Sequence, residues 1–140
     1  MPTPTPCASN PKAQLAKPGP PAPRATISPG FQLWDFTFDS SGNMWVPNYN
    51  GSAVAEYTKA GLTKPGSPPA HVTISGSILA VPHGVAFDSS GDLWVLAASS
   101  PALVEYTKAE LAKSGSPTPA RAIKGTATGL NTPSYLAIEP

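Results

Sequence analysis

A chain of 140 residues has room for one domain of ordinary size. Only 12% of it is charged and its net charge is +1, which argues against a dedicated nucleic-acid binder with its basic face and against disorder driven by net charge. No apolar run approaches the ~20 residues of a membrane-spanning helix.

The chain opens with a Pro-rich leader, residues 1–12, expected to be unstructured. It has no apolar h-region, so it is not a signal peptide as it stands. The single Cys7 makes no internal disulfide and reads as an incidental thiol on that leader. Across the whole chain, 19 Pro and 12 Gly with 40% hydrophobic residues predict turn-rich β structure.

A repeat organises the rest. Residues 36–76 align without gaps on residues 85–125, with 20 identities in 41 positions, at a spacing of 49 residues. The shared words are FDSSG, Trp-Val, EYTKA and GSP. A period of 40–50 with strand-like content predicts propeller blades of four strands. Partial copies flank the two full ones: QLAKPG at 14–19 matches ELAKSG at 110–115, and residues 133–138 match residues 82–87. The expected fold is all-β: an incomplete β-propeller with a partial blade over 13–30, full blades over 31–78 and 79–127, and the start of another over 128–140. Such a chain is either a piece of a longer propeller or a unit that closes its open blade faces by self-association.

Strand a is expected over 34–39 and 84–88, with Trp34, Phe36 and Phe38 alternating with polar positions in the first copy. DSSG is a hairpin turn, where Asp39 or Asp88 accepts backbone hydrogen bonds and Gly42 or Gly91 supplies positive φ. Strand b covers 43–46 and 92–96, and its repeated Trp45 and Trp94 serve blade-to-blade packing. Strand c covers 53–57 and 102–106. Thr107 and Glu110 then fit a capping box, which Gly61 weakens in the first copy. EYTKA is thus explained structurally: it ends strand c and caps the turn. Strand d covers 71–75 and 120–124, with His71 a solvated edge residue.

The connection from strand d to the next strand a grows along the chain, from 9 to 11 to 13 residues, counted from Ile27, Ile74 and Ile123 to Phe36, Val85 and Leu136. Variation confined to one loop marks the expected binding face. Trp34, His83 and Ser134 stand at equivalent positions there and differ from one another. Asn48 and Tyr49, in the Asn-Tyr-Asn stretch after strand b, become Ala97 and Ala98 in the second copy; an aromatic flanked by amides suits a sugar or peptide edge. The expected ligand-binding residues are therefore Trp34, Asn48, Tyr49, His83 and Ser134. His83 is also the one candidate catalytic residue.

The stretches PHGVAFDSSGDLWV at 82–95, VEYT at 104–107 and FTFDSSGNMWVPNYNGSAVAEYT at 36–58 resemble NHL-repeat β-propellers, especially those of bacterial secreted or cell-envelope proteins. The resemblance implies the fold and an extracytoplasmic home for the full-length protein. It leaves the activity open, because this architecture hosts many functions. Two enzyme groups are distantly similar. Gluconolactonase-like propellers hold a divalent cation with Glu, Asn and Asp, but here His83 stands where their Asn would be, Ala97 or Ala98 where their Asp would be, and no Glu-Gly-Pro stretch occurs. Streptogramin-lyase-like propellers pair a channel His with a carboxylate, and no partner for His83 is evident. The expected function is a non-catalytic binding or scaffold module for a protein, carbohydrate or small-molecule ligand, with no cofactor and no metal. The alternative is a lyase or lactonase-like hydrolase using His83, with a divalent cation.

Overall fold

A computed structural model describes residues 7–9, 23 and 25–138. Among them the regular structure is β-strand, joined by turns and short 3-10 turns, and no helix is long and apolar enough to cross a membrane. Two four-stranded antiparallel sheets carry the architecture. The first orders β3 (Thr37–Phe38), β4 (Met44–Asn48), β5 (Ala53–Tyr57) and β6 (Val72–Ser75). The second orders β7 (Pro82–Phe87), β8 (Leu93–Ala97), β9 (Ala102–Tyr106) and β10 (Arg121–Lys124). Both are simple meanders, and β4–β5 and β8–β9 share one register: Trp45 pairs Glu56 as Trp94 pairs Glu105. The strand c expectation matches β5 and β9 residue for residue.

The other expectations shift at their edges. Strand a of the first copy shrinks from 34–39 to Thr37–Phe38, and Trp34, Phe36 and Phe38 are each about half exposed. The reason lies in what covers them. Phe87, the repeat equivalent of Phe38, packs edge-on against Trp45 at 5.9 Å and 76°. Among the described aromatic rings Phe38 pairs with Phe36, at 5.7 Å and 83°, and with no tryptophan. Residues 133–138 form no strand, although the chain there passes β7 so closely that a side chain at Gly84 would meet the Leu136 amide nitrogen at 3.0 Å. The leader also differs. Cys7–Ser9 forms β1, antiparallel to β2 (Ala25–Ile27), so the segment expected to be unstructured contains a strand.

The hairpin turns explain the repeated FDSSG. Asp39 Oδ1 accepts the Ser41 and Asn43 amides at 2.9 Å each, and Asp88 Oδ1 accepts those of Ser90 and Asp92 at 2.9 and 3.1 Å. Gly42 and Gly91 sit at φ 84° and 82°, where a Cβ is strained. The second carboxylate oxygen takes the indole N–H of the following strand: Trp45 to Asp39 at 3.2 Å, Trp94 to Asp88 at 3.0 Å. Aspartate and tryptophan therefore recur together because one orients the other.

The expected capping box is present. The Thr107 amide donates to Glu110 Oε2 at 2.7 Å, and the Glu110 amide to Thr107 Oγ1 at 3.4 Å. In the first copy the Gly61 amide donates to Thr58 Oγ1 at 3.2 Å and the reciprocal bond has no donor–acceptor pair. The Glu of EYTKA has a further role. Glu56 and Glu105 are both buried, and each meets a basic side chain: His71 Nδ1 lies 2.8 Å from Glu56 Oε2, and Arg121 Nε lies 3.0 Å from Glu105 Oε2. His71 is exposed as expected, yet its ring is anchored rather than free.

The repeated GSP joins the sheets. The outer edge of β6 bonds to the loop before β10, with Gly115 N donating to Thr73 O at 3.0 Å and Ser75 N donating to Gly115 O at 2.9 Å. The same clasp holds β2 to Gly66, through Thr26 O and Ser28 N, both at 3.0 Å. The main core lies between the two sheets, with Trp45, Val54 and Ile74 of the first facing Val85, Val95, Val104 and Tyr106 of the second. A smaller cluster of Met44, Val46, Ala55 and Tyr57 packs with Phe31, Leu33 and Leu62.

This packing separates two chemically identical tryptophans. Trp45 is 3% exposed, whereas Trp94 is only partly buried and no third sheet follows among the described residues. Trp45→Ala is expected to cost about 3–5 kcal/mol, within the usual range for a buried aromatic, and Trp94→Ala less than half of that. Urea unfolding of both variants checks this; equal losses would contradict the packing asymmetry.

Candidate functional site

The loops before β3 and β7 and the turn after β4 meet at one end of the sheets. Tyr49 follows β4 in a tight turn closed by the Gly51 amide on the Asn48 carbonyl at 3.0 Å. His83 lies at the start of β7. Asp35 ties the two repeats here: its Oδ1 accepts the Phe36 amide at 2.8 Å and its Oδ2 accepts the Val85 amide at 3.0 Å. That bond draws the segment carrying Trp34 against β7.

Three of the residues expected to bind ligand therefore converge. Trp34 stacks on His83 with centroids 5.6 Å apart and planes 15° off parallel. Tyr49 is tilted against both, 5.7 Å from Trp34 and 5.1 Å from His83. Tyr49 and His83 line an open cleft of about 490 Å³, with Val81, Ser99, Thr132 and Ser134 among its other walls. Ser134 is thus brought to the same cleft as His83. Asn48 does not line it; its Oδ1 is enclosed without a hydrogen-bond partner among the described residues.

Charged side chains do not line the cleft among the described residues, so its polarity comes from hydroxyls, a phenol and an imidazole. The neighbours of His83 are aromatic rings, and no carboxylate is placed beside it there. Two wall residues have unusual backbones. Val81 sits at φ 54° and Thr132 at φ 45°, both β-branched and both in the left-handed region. Such conformations cost of order 1–3 kcal/mol each and persist only where surrounding structure fixes them. The loop at Val81 is fixed by two bonds to the end of β8: Ala98 N to Val81 O at 3.0 Å and Ser99 N to Ala80 O at 3.2 Å. Residue type alone gives no hint of these conformations.

Carboxylates gather at the opposite end of β7 and β8. In the first sheet Asn43 Nδ2 donates to Asp39 Oδ2 at 3.0 Å and to Glu56 Oε1 at 2.8 Å, so one amide joins two acids. In the second sheet Asp92 replaces Asn43, and Asp88, Asp92 and Glu105 bring three carboxylates within 4.8 Å of one another. Asp92 Oδ1 keeps the bond that Asn43 makes, accepting the Lys108 amide at 2.8 Å where Asn43 Oδ1 accepts that of Lys59 at 3.0 Å. What Asp92 lacks is the N–H pair.

No family model matches the sequence, and no curated protein matches it. Among solved structures the chain is similar to a protein of unknown function from Bacteroides caccae, with a TM-score of 0.54 and 16% identity over 71% of this chain. The match covers 33% of that protein, so this chain spans about a third of its length. A likeness at that identity concerns the fold alone.

Two measurements test the acidic end. Asp92→Asn restores the amide bridge seen in the first sheet and is expected to stabilise the protein by about 0.5–2 kcal/mol, most at low salt; unchanged or lower stability in urea would contradict it. Acid is expected to act through the turn aspartates. The Trp94 indole bond holds the Asp88 carboxyl below its ordinary value despite some burial. Burial pushes Asp39 up, but the bonds from Asn43, Trp45 and Ser41 together outweigh it and leave it lowered. A depressed folded value means stability present above the unfolded pKa of about 3.9 and lost as pH falls through the folded one. The thermal midpoint should therefore drop below pH 4, and less steeply in Asp88→Asn.

Proposed function

We propose that this chain is a non-catalytic, ligand-binding segment of an NHL-like β-propeller, and that its ligand sits in the cleft walled by Tyr49 and His83. One observation carries this reading. Trp34, Tyr49 and His83 come from three separate stretches, are not kept from one repeat to the next, and still close into one aromatic cluster beside a cleft. Packing alone does not require half-exposed Trp34 to stack on a histidine at a loop-built surface.

Several features support the propeller frame. The two sheets have the same strand order, their first strands lie side by side through the Asp35–Val85 bond, and the outer strands are clasped in the same way at each step. In that frame Trp34, His83 and Ser134 belong to the loops leading into strand a, the face where connection lengths differ. The few charges and many small polar residues fit an extracytoplasmic setting for the whole protein.

The chemistry of the cleft selects the ligand class. An uncharged lining offers nothing to pay for desolvating a phosphate or a carboxylate. Aromatic faces with hydroxyls around them suit a ligand that is apolar on one face and hydroxylated at its edges. A neutral saccharide has that form. His83 contributes as a ring in the wall and as a hydrogen-bonding edge, and Asn48 acts as part of the turn that holds Tyr49.

The test is a neutral-glycan array, followed by titration of the best hit with tryptophan fluorescence. Trp34→Ala and Tyr49→Ala are each expected to weaken binding by about 5–30-fold, equivalent to ~1–2 kcal/mol. His83→Ala is expected to weaken binding by a smaller factor. A parallel panel of lactones tests the enzymatic alternative: turnover by the native chain that His83→Ala abolishes would replace the binding reading with a hydrolase or lyase.

A further inference from the structure

We infer that the outer edge of β10 is a docking site for a second copy of this chain, and that the segment it receives is Lys17-Pro18-Gly19-Pro20. The internal clasp is the template. At β2 and at β6 the outward backbone groups bond to a glycine in a Lys-x-Gly-Ser-Pro segment, Gly66 in the first case and Gly115 in the second. At β6 serine side chains reinforce the clasp, with Thr73 N donating to Ser114 Oγ at 3.0 Å and Ser75 Oγ lying 3.0 Å from Ser116 Oγ.

β10 occupies the same place in the second sheet. Ile123 pairs Leu103 as Ile74 pairs Val54, and Lys124 pairs Ala102 as Ser75 pairs Ala53. The Ala122 carbonyl and the Lys124 amide therefore stand where Thr73 O and Ser75 N stand. Nothing among the described residues bonds them, and all four residues of β10 are exposed. The adjoining face is open as well: Ile74 and Val54 are both fully buried, but their equivalents Ile123 and Leu103 are 47% exposed and partly exposed, respectively. An unpaired strand edge beside an apolar face is a template for further pairing. The chain itself spells the matching segment a third time, since QLAKPGP at 14–20 repeats the pattern of ELAKSGSP at 110–117. The contact joins unlike surfaces, the edge of one copy and the 17–20 segment of the next, so it is head-to-tail.

Light scattering across a concentration series of the intact chain tests this, with circular dichroism on the same samples. The expected result is a mass that rises with concentration toward two or more chains. Lys124→Pro removes only the outward N–H of an edge strand and is expected to raise the concentration needed for association at least tenfold with an unchanged spectrum. Ile123→Asp, which leaves the backbone edge intact, is expected to act in the same direction. A free peptide of residues 14–22 should compete. A chain that stays monomeric at all concentrations overturns the inference, even if it binds the peptide. So does association that neither substitution nor the peptide weakens.

Discussion

A four-stranded meander can bury one face of itself only if something of matching shape covers it, and in this chain the next repeat provides the cover. Trp45 is the pivot. Its indole nitrogen is fixed by Asp39, which sets the ring's direction, and its ring meets the edge of Phe87 in the second sheet. The Gly115 clasp on β6 then fixes the distance between the sheets at their outer edges. An aromatic contact and a backbone clasp act at different places on the same interface, so the two sheets are held in angle as well as in separation. The Asp35–Val85 bond is a third tie at the inner strands, and it is also the bond that brings Trp34 to His83. The cleft is thus a consequence of how the repeats are joined.

The repeated acids show how one motif serves two charge environments. Glu56 and Glu105 are both buried, which is costly for a carboxylate without partners. In the first sheet the cost is offset by Asn43 and His71, whereas in the second Arg121 lies 3.0 Å from Glu105 and the nearby Asp92 carboxylate adds repulsion. The basic partner changes identity and moves by one position, from His71 just before β6 to Arg121 at the start of β10. The arginine presents a planar fork of donors, whereas the histidine presents a single ring nitrogen to its glutamate. Replacement of Asn43 by Asp92 adds a negative charge in the same sheet where the partner becomes the stronger cation. The two changes offset each other, so the pair of repeats is balanced unit by unit.

Much of this was legible in the sequence because it rests on local chemistry. Strand c was readable to the residue, since Ala53 to Tyr57 is bounded by a turn and a capping threonine. The Thr107–Glu110 box and the aspartate turns need only short spacings to be recognised. Trp34, Tyr49 and His83 were legible as a group through their departure from the repeat. What stayed hidden depends on partners distant in the chain. Phe38 reads as a core residue by alternation, yet it is half exposed because no tryptophan covers it as Trp45 covers Phe87. The function of GSP was invisible because its partner, the outer edge of the preceding sheet, lies about 40 residues earlier. The bond between Asp88 and Trp94 spans only six residues; the fixed spacing of Asp and Trp in both copies was its one available signal. Val81 and Thr132 carry no signal at all, since β-branched residues are the least expected at positive φ.

That strain bears on how the cleft arises. A repeat that only needs to pack is free to place glycine or asparagine where the backbone turns left-handed, and this chain does so at Gly42, Gly91 and Gly129. At Val81 and Thr132 it keeps branched side chains instead, next to His83 and Ser134. Glycine there would relieve the backbone but would leave the cleft without a wall and the loop without a preferred shape. A branched residue held by the Ala98 and Ser99 amides gives a rigid wall at an energetic cost. Rigid walls reduce the ordering cost of binding, so under the proposed binding reading the strain favours a preformed cleft. The wall, the aromatic cluster and the tie at Asp35 all lie at the same end of the sheets, while the acids and the capping turns lie at the other. The repeat therefore separates its duties by end: one closes hairpins and balances charge, and the other is left free to vary.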